Sequence, residues 1–130
     1  MNADFHFRKN EKLKDPSAIE SLFENGRKVQ HYPLLFIYGA LPSTAETVEA
    51  DYRCAFTVSK RKFRKATDRN RIKRLMREAY RLQKHLLYQN LQAQHISQMG
   101  IVVLYLGKEI PEYKVIFDSV NRFILKFSKP

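Results

Sequence analysis

Between Lys60 and Lys84 the chain reads KRKFRKATDRNRIKRLMREAYRLQK, and no other stretch restricts the fold as strongly. Twelve of these 25 residues are Lys or Arg, against two acids, Asp68 and Glu78, so the segment carries +10 of a formal net charge of +11. The remaining 105 residues hold 12 basic and 11 acidic side chains and are close to neutral. From Asp68 onward, Ile72, Leu75, Met76, Ala79, Leu82 and Leu86 recur at the period of an amphipathic helix. Arg69, Asn70, Lys73, Arg74, Arg77, Arg81 and Lys84 fill much of the remaining circumference. Thr67 or Asp68 is placed to cap the start, and an Asp there suits the positive end of the helix dipole. A chain with such a segment must dock one apolar stripe on a core and leave a broad cationic face in solvent. Faces that serve only solubility usually mix signs, and a block of like charge repels itself until a partner neutralises it. That partner is a polyanion.

The rest of the chain supplies the core. At 130 residues, 44% of them hydrophobic and 12% aromatic, it suffices for one domain, 1–130, with a single hydrophobic interior. One cysteine excludes an intramolecular disulfide, and Cys54 lies in an alternating run, Tyr52–Val58, where a buried thiol is expected. The start, MNADFHFRK, lacks a signal-peptide core, and no apolar run reaches membrane-spanning length. A cytoplasmic protein with no membrane partner is expected.

Residues 1–14 read as an extended polar arm. Asp15-Pro16 starts a helix containing Ile19, Leu22 and Phe23, which Gly26 stops. A brief strand near Val29 precedes Leu34–Tyr38, a strand by composition, and Tyr52–Ser59 is another. These two are expected to pair antiparallel. Between them, Pro42–Asp51 is an acidic loop-like insertion. The basic helix is expected to end between Leu87 and Gln92, leaving Gln89–Gln98 unassigned. Ile101–Leu106, apolar on both faces, reads as a central strand, and Glu112–Phe127 as a closing amphipathic helix. The order is α-β-β-α-β-α, with the extra strand near Val29, in an α+β sandwich of helices against a small sheet.

Motifs for protein-based catalysis are missing from the sequence. Its acids show no paired spacing, and the four histidines, 6, 31, 85 and 95, are scattered. One cysteine allows no zinc-finger spacing, and four isolated glycines form no phosphate-cradling loop. Neither a catalytic residue nor a small-molecule substrate is expected.

Val58-Ser59-Lys60-Arg61, followed by Arg69-Asn70-Arg71-Ile72-Lys73-Arg74-Leu75-Met76-Arg77-Glu78, resembles the signature of the bacterial ribonuclease P protein subunit. That signature is a strand ending in V-S-K-K/R and then R-N-R-x-K-R-x-x-R-E on a helix. Lys12-Leu13-Lys14, the helix with Ile19 and Phe23, and Gly26 are similar to the family's amino-terminal pattern. The resemblance runs from about residue 5 to the end and is strongest over 56–81. Two departures stand out: Phe63–Thr67 lacks the glycine often found between the signature halves, and Ile19 replaces an aromatic residue.

The resemblance implies an α-β-β-β-α-β-α two-layer sandwich with a small mixed sheet, of the type seen in the second domain of ribosomal protein S5. Its basic helix would lie in a left-handed crossover, where general rules favour a right-handed one. It also implies a cofactor of a catalytic RNA that removes the 5′ leader of precursor tRNA with Mg2+, held mainly by the RNA. Lys60, Arg61, Lys62, Lys65, Arg69, Asn70, Arg71, Lys73, Arg74, Arg77 and Arg81 would bind RNA, with Arg69 and Arg74 facing solvent. Arg forks and Lys point charges suit phosphates. Asn70 would direct a hydrogen bond to RNA or to a metal-bound water; simple helix capping is the alternative. Ile19, Phe23, Phe36 and Tyr38 would line a cleft for the single-stranded leader, read by stacking. Phe5, Phe7, Arg8 and Lys9 would fold over it. The competing classes are a ribosomal or general RNA-binding module and a DNA-groove reader. The latter lacks the short preceding helix or the dimerisation heptads such readers use.

Overall fold

The computed structural model describes residues 5–41 and 50–128. Most of the acidic insertion, residues 42–49, lies outside them. Helix α1 (Pro16–Asn25) begins where Asp15 accepts a hydrogen bond from the Ser17 amide at 3.1 Å, with Pro16 in the first turn. It stops at Gly26, whose N–H donates to the Leu22 carbonyl at 2.7 Å. A Cβ on Gly26 would lie 2.5 Å from that same oxygen, so the stop requires glycine. Strands β1 (Arg27–His31) and β2 (Leu34–Gly39) then form an antiparallel hairpin around a cis Tyr32-Pro33 bond.

Strand β3 (Asp51–Val58), helix α2 (Ala66–Ala93) and strand β4 (Gln98–Tyr105) form a parallel crossover, and helix α3 (Tyr113–Leu125) closes the chain. The sheet order is β1-β2-β4-β3. The two strands expected to pair, β2 and β3, are therefore separated by β4, antiparallel to the first and parallel to the second. Composition explains the insertion. Met99, Ile101, Val103 and Tyr105 are buried on one face of β4 and Val102 on the other, so β4 needs a neighbour on each edge and a layer on each face.

Helix α2, 28 residues and about 42 Å long, starts before the expected cap. Lys65 occupies the N-cap position without a side-chain cap, and Asp68 falls in the first turn. The helix also absorbs most of the unassigned polar stretch. It ends in a Schellman arrangement: the Ile96 amide donates to the Leu91 carbonyl at 2.9 Å and the His95 amide to Gln92 at 3.0 Å. His95, at φ 62°, stands where glycine is usual.

Helices α2 and α3 cover one sheet face. There Phe36 stacks on Phe123 at 4.2 Å, among Ile72, Met76, Tyr80 and Leu87. On the opposite face Leu13, Ala18 and Leu22 pack on Ile37, Leu41 and Val102, while Leu35, Ala55 and Leu104 stay half-buried against this cluster. Cys54 is buried, and desolvation pushes its thiol well up, as its strand position implied.

Candidate nucleic-acid interface

The loop entering α2 is built to turn its cations outward. The Ser59 hydroxyl accepts hydrogen bonds from the Arg61 and Lys62 amides, and the Phe63 amide donates to the Ser59 carbonyl at 3.0 Å. Phe63 is buried against Tyr105, with ring centres 5.9 Å apart. The loop that lacks the expected glycine is therefore anchored by an aromatic ring. Lys60, Arg61, Lys62, Arg64 and Lys65 are left exposed.

On α2, Asn70, Arg74 and Arg77 recur at i, i+4 and i+7 and are exposed, Arg71 beside them is exposed, and Lys73 is half-buried. Asn70 lies five residues beyond the N-cap, which removes the capping alternative. Among the described residues, Lys60, Arg61, Lys65, Asn70, Arg71, Lys73, Arg74 and Arg77 make no side-chain hydrogen bond, so their donors remain available.

Arg64 is likewise exposed and makes no side-chain hydrogen bond among the described residues; the other cations of the segment are engaged. Arg69, expected to face solvent, is half-buried; its guanidinium donates to the Phe63 and Arg64 carbonyls at 2.8 and 2.9 Å and staples the loop to the helix. The Lys62 ammonium donates to the Leu106 carbonyl at 3.0 Å. Arg81 pairs with Glu78 at 2.5 Å and donates to the Phe5 carbonyl at 3.0 Å. That pairing lowers the Glu78 carboxyl and raises the Arg81 guanidinium. Lys84 does not belong to the cationic face at all: it is 3% exposed.

The proposed leader cleft divides. Ile19, half-buried, and Phe23, 40% exposed, lie on α1. Phe36, 1% exposed, and Tyr38, 7%, face the other way, under α3, where Tyr38 meets Phe123 and Phe127 edge-on. Strand alternation puts 34, 36 and 38 on one face and 35 and 37 on the other, but does not say which face α1 covers. Sequence reasoning thus missed Leu35, Ala55 and Leu104, half-buried on the sheet face that carries α1. The arm does not fold over α1 either. Phe5 meets His85, and Phe7 meets Phe56 and Tyr80, so it crosses α2 and the edge of β3. There Phe7, Lys12, Lys14, Ala55, Phe56 and Arg77 line a groove. The signal for this placement was long-range and left no sequence period.

Fold and surface define an α+β sandwich whose accessible chemistry, an anchored cationic loop continuing into a cationic helix face, suits a polyanion. The model of the ribonuclease P family matches residues 7–127, and the chain belongs to that family, as the protein part of a ribonuclease that processes tRNA. The ribonuclease P protein component of Porphyromonas gingivalis is 31% identical over 131 residues, spanning 97% of this chain and 89% of that protein. That of Chlorobaculum tepidum is 46% identical over 71 residues, 55% of this chain and 46% of its own length. The RNase P protein of Staphylococcus aureus superposes with a TM-score of 0.64 at 20% identity, covering 93% of this chain and 97% of the other. That of Thermotoga maritima gives 0.66 at 19%, covering 89% and 96%. Both share the fold. Among the described residues, no helix is long and apolar enough to cross a membrane.

Proposed function

We propose that this chain is the cytoplasmic protein cofactor of ribonuclease P, binding the catalytic RNA through α2 and its loop and the 5′ leader of precursor tRNA beside α1. Hydrolysis, with its Mg2+, belongs to the RNA. The observation that carries this reading is the set of unengaged donors between Lys60 and Arg77, interrupted only by Lys62 and Arg69, on an anchored loop and one helix. Guanidinium forks and ammonium groups so held meet phosphate oxygens without first losing side-chain partners of their own. Phe23, exposed on α1, offers a stacking face to a single-stranded leader, with the half-buried Leu35, Ala55 and Leu104 as an apolar floor.

Among the described residues no three His, Cys, Asp or Glu side chains gather as a metal site. Asn70 is a neutral amide amid Arg71, Lys73 and Arg74, whose charges disfavour a cation bound directly to protein. Its carbonyl oxygen suits a hydrogen bond from a water on an RNA-held Mg2+, the role proposed for it.

The test is cleavage of leader-bearing precursor tRNA by a bacterial ribonuclease P RNA at low magnesium and near-physiological salt, with and without this chain. Stimulation of correctly placed 5′ cleavage, with none by protein alone, is the expected outcome. Tight RNA binding without stimulation would reassign the chain to general RNA binding, and cleavage by protein alone would put the chemistry on its side chains.

A further inference from the structure

Lys84 continues the stripe of Asn70, Arg74, Arg77 and Arg81, yet it is directed inward and meets the arm. Its ammonium lies 2.6 Å from Glu11 Oε2, donates also to the His6 carbonyl, and sits 5.6 Å above the centre of the Tyr88 ring. The Tyr88 hydroxyl donates to the same carboxylate oxygen at 2.6 Å, and Glu11 Oε1 accepts from the Arg8 amide at 3.0 Å. A carboxylate and an ammonium are thus withdrawn from water with their hydrogen bonds satisfied. Among the described residues the backbone tie of the arm to the sheet is slight by comparison: one bridge, in which the Leu13 amide donates to the Cys54 carbonyl at 3.0 Å.

This arrangement has a consequence for charge. The arm is held where Lys12 and Lys14 stand with Arg77 of α2 around one groove along the edge of β3, lined also by Ala55 and Phe56. We infer that Glu11, Lys84 and Tyr88 form a latch that positions the arm as one cationic wall of the RNA interface, and that Lys84 acts through the arm without touching RNA. The inference rests on the function proposed above. Removing Glu11 leaves the buried Lys84 ammonium without its counter-charge, and removing Lys84 leaves the half-buried carboxylate without its cation; either change favours release of the arm to water. Lys12 and Lys14 then leave the wall, although every cation on the exposed face of α2 remains.

Glu11→Ala separates this from direct contact by the sign of its effect. Deleting a carboxylate near a polyanion strengthens binding if charge alone matters; deleting the latch weakens it. Glu11→Ala, Lys84→Met and the milder Tyr88→Phe are to be compared with wild type in three measurements: circular dichroism, trypsin cleavage between Arg8 and Lys14, and affinity for a bacterial ribonuclease P RNA transcript. The expected result is retained helicity and arm cleavage faster by about tenfold in the first two variants. Affinity should fall by about three- to tenfold, and the Glu11→Ala/Lys84→Met double variant should lose little more than either single one. Tyr88→Phe, which keeps the ring and removes one hydrogen bond, should fall between. An arm that stays resistant, or Glu11→Ala affinity equal to or above wild type, overturns the latch. Failure of wild type to bind the RNA sinks the functional reading itself, a result distinguishable from either.

Discussion

What an aromatic ring offers an RNA strand depends on the face that packing leaves to it. Phe23 presents 40% of its surface on α1, whereas Phe36 presents 1%, stacked on Phe123 beneath α3. Phe36→Ala should therefore cost about 3–5 kcal/mol, the lost burial plus the cavity left behind. Phe23→Ala should change stability by no more than about 0.5 kcal/mol, yet reduce the preference for leader-bearing over leaderless tRNA. Urea denaturation followed by circular dichroism, with affinities for both tRNAs, checks the pair. Equal affinity losses for the two substrates would remove Phe23 from the leader site. The sequence marked both rings as candidates because both stand at regular spacing. It could not separate them, since exposure is decided by which helix covers which sheet face. Lys84 poses the same problem: helical period placed it with Arg77, and its partners, His6 and Glu11, lie more than seventy positions away.

At the scale of elements, periodicity and punctuation located the three α-helices and four strands of the described residues, including the short β1, because each is a local property; the 3-10 turn at Lys9–Glu11 was read as extended arm. Pairing was harder. Adjacent strands in sequence usually neighbour each other, but the two-faced apolar run of β4 displaced β3 from β2. The arm is the element whose placement owed least to local signals, and it is the one whose attachment should titrate. Burial raises the Glu11 carboxyl, but hydrogen bonds from Lys84, Tyr88 and the Arg8 amide outweigh it, leaving the group below its ordinary 4.5. A carboxyl lowered in the folded state contributes stability that is complete above the ordinary value and lost as pH falls through the folded one. The groups facing it are the Lys84 ammonium, the Tyr88 hydroxyl and the Arg8 amide; Glu78, also lowered, supports the arm only through Arg81 and the Phe5 carbonyl. Protection of the Leu13 amide, measured by NMR hydrogen exchange corrected for intrinsic pH dependence, should therefore decline in acid below 4.5. In Glu11→Gln it should be weaker throughout and lack that acid transition. PH-independent protection in wild type would dissociate the arm's attachment from Glu11.

For the whole molecule, the decisive property is the segregation of charge: a near-neutral sandwich carries one cationic loop and helix. That much was legible from composition alone, because twelve cations in 25 residues cannot be dispersed over a surface. Which of them remain available to a partner was not, because Arg69, Lys62 and Arg81 are spent on carbonyls and a carboxylate of the fold itself. Salt dependence distinguishes the two kinds. Each phosphate neutralised contributes about 0.7–0.9 to the slope of log K against log salt, through release of condensed counterions. Arg74→Ala, removing an exposed donor without intramolecular partners, should lower the slope by about one phosphate's share and leave the melting temperature near wild type. Arg69→Ala should do the reverse, keeping most of the slope while lowering the melting temperature, since the Phe63 and Arg64 carbonyls lose their staple. Titrations of catalytic RNA at several salt concentrations, beside thermal melts, measure both. A full phosphate's loss of slope in Arg69→Ala at unchanged melting temperature would return that residue to the RNA-contacting set, and the loop would then owe its shape to Ser59, Phe63 and the Lys62–Leu106 contact.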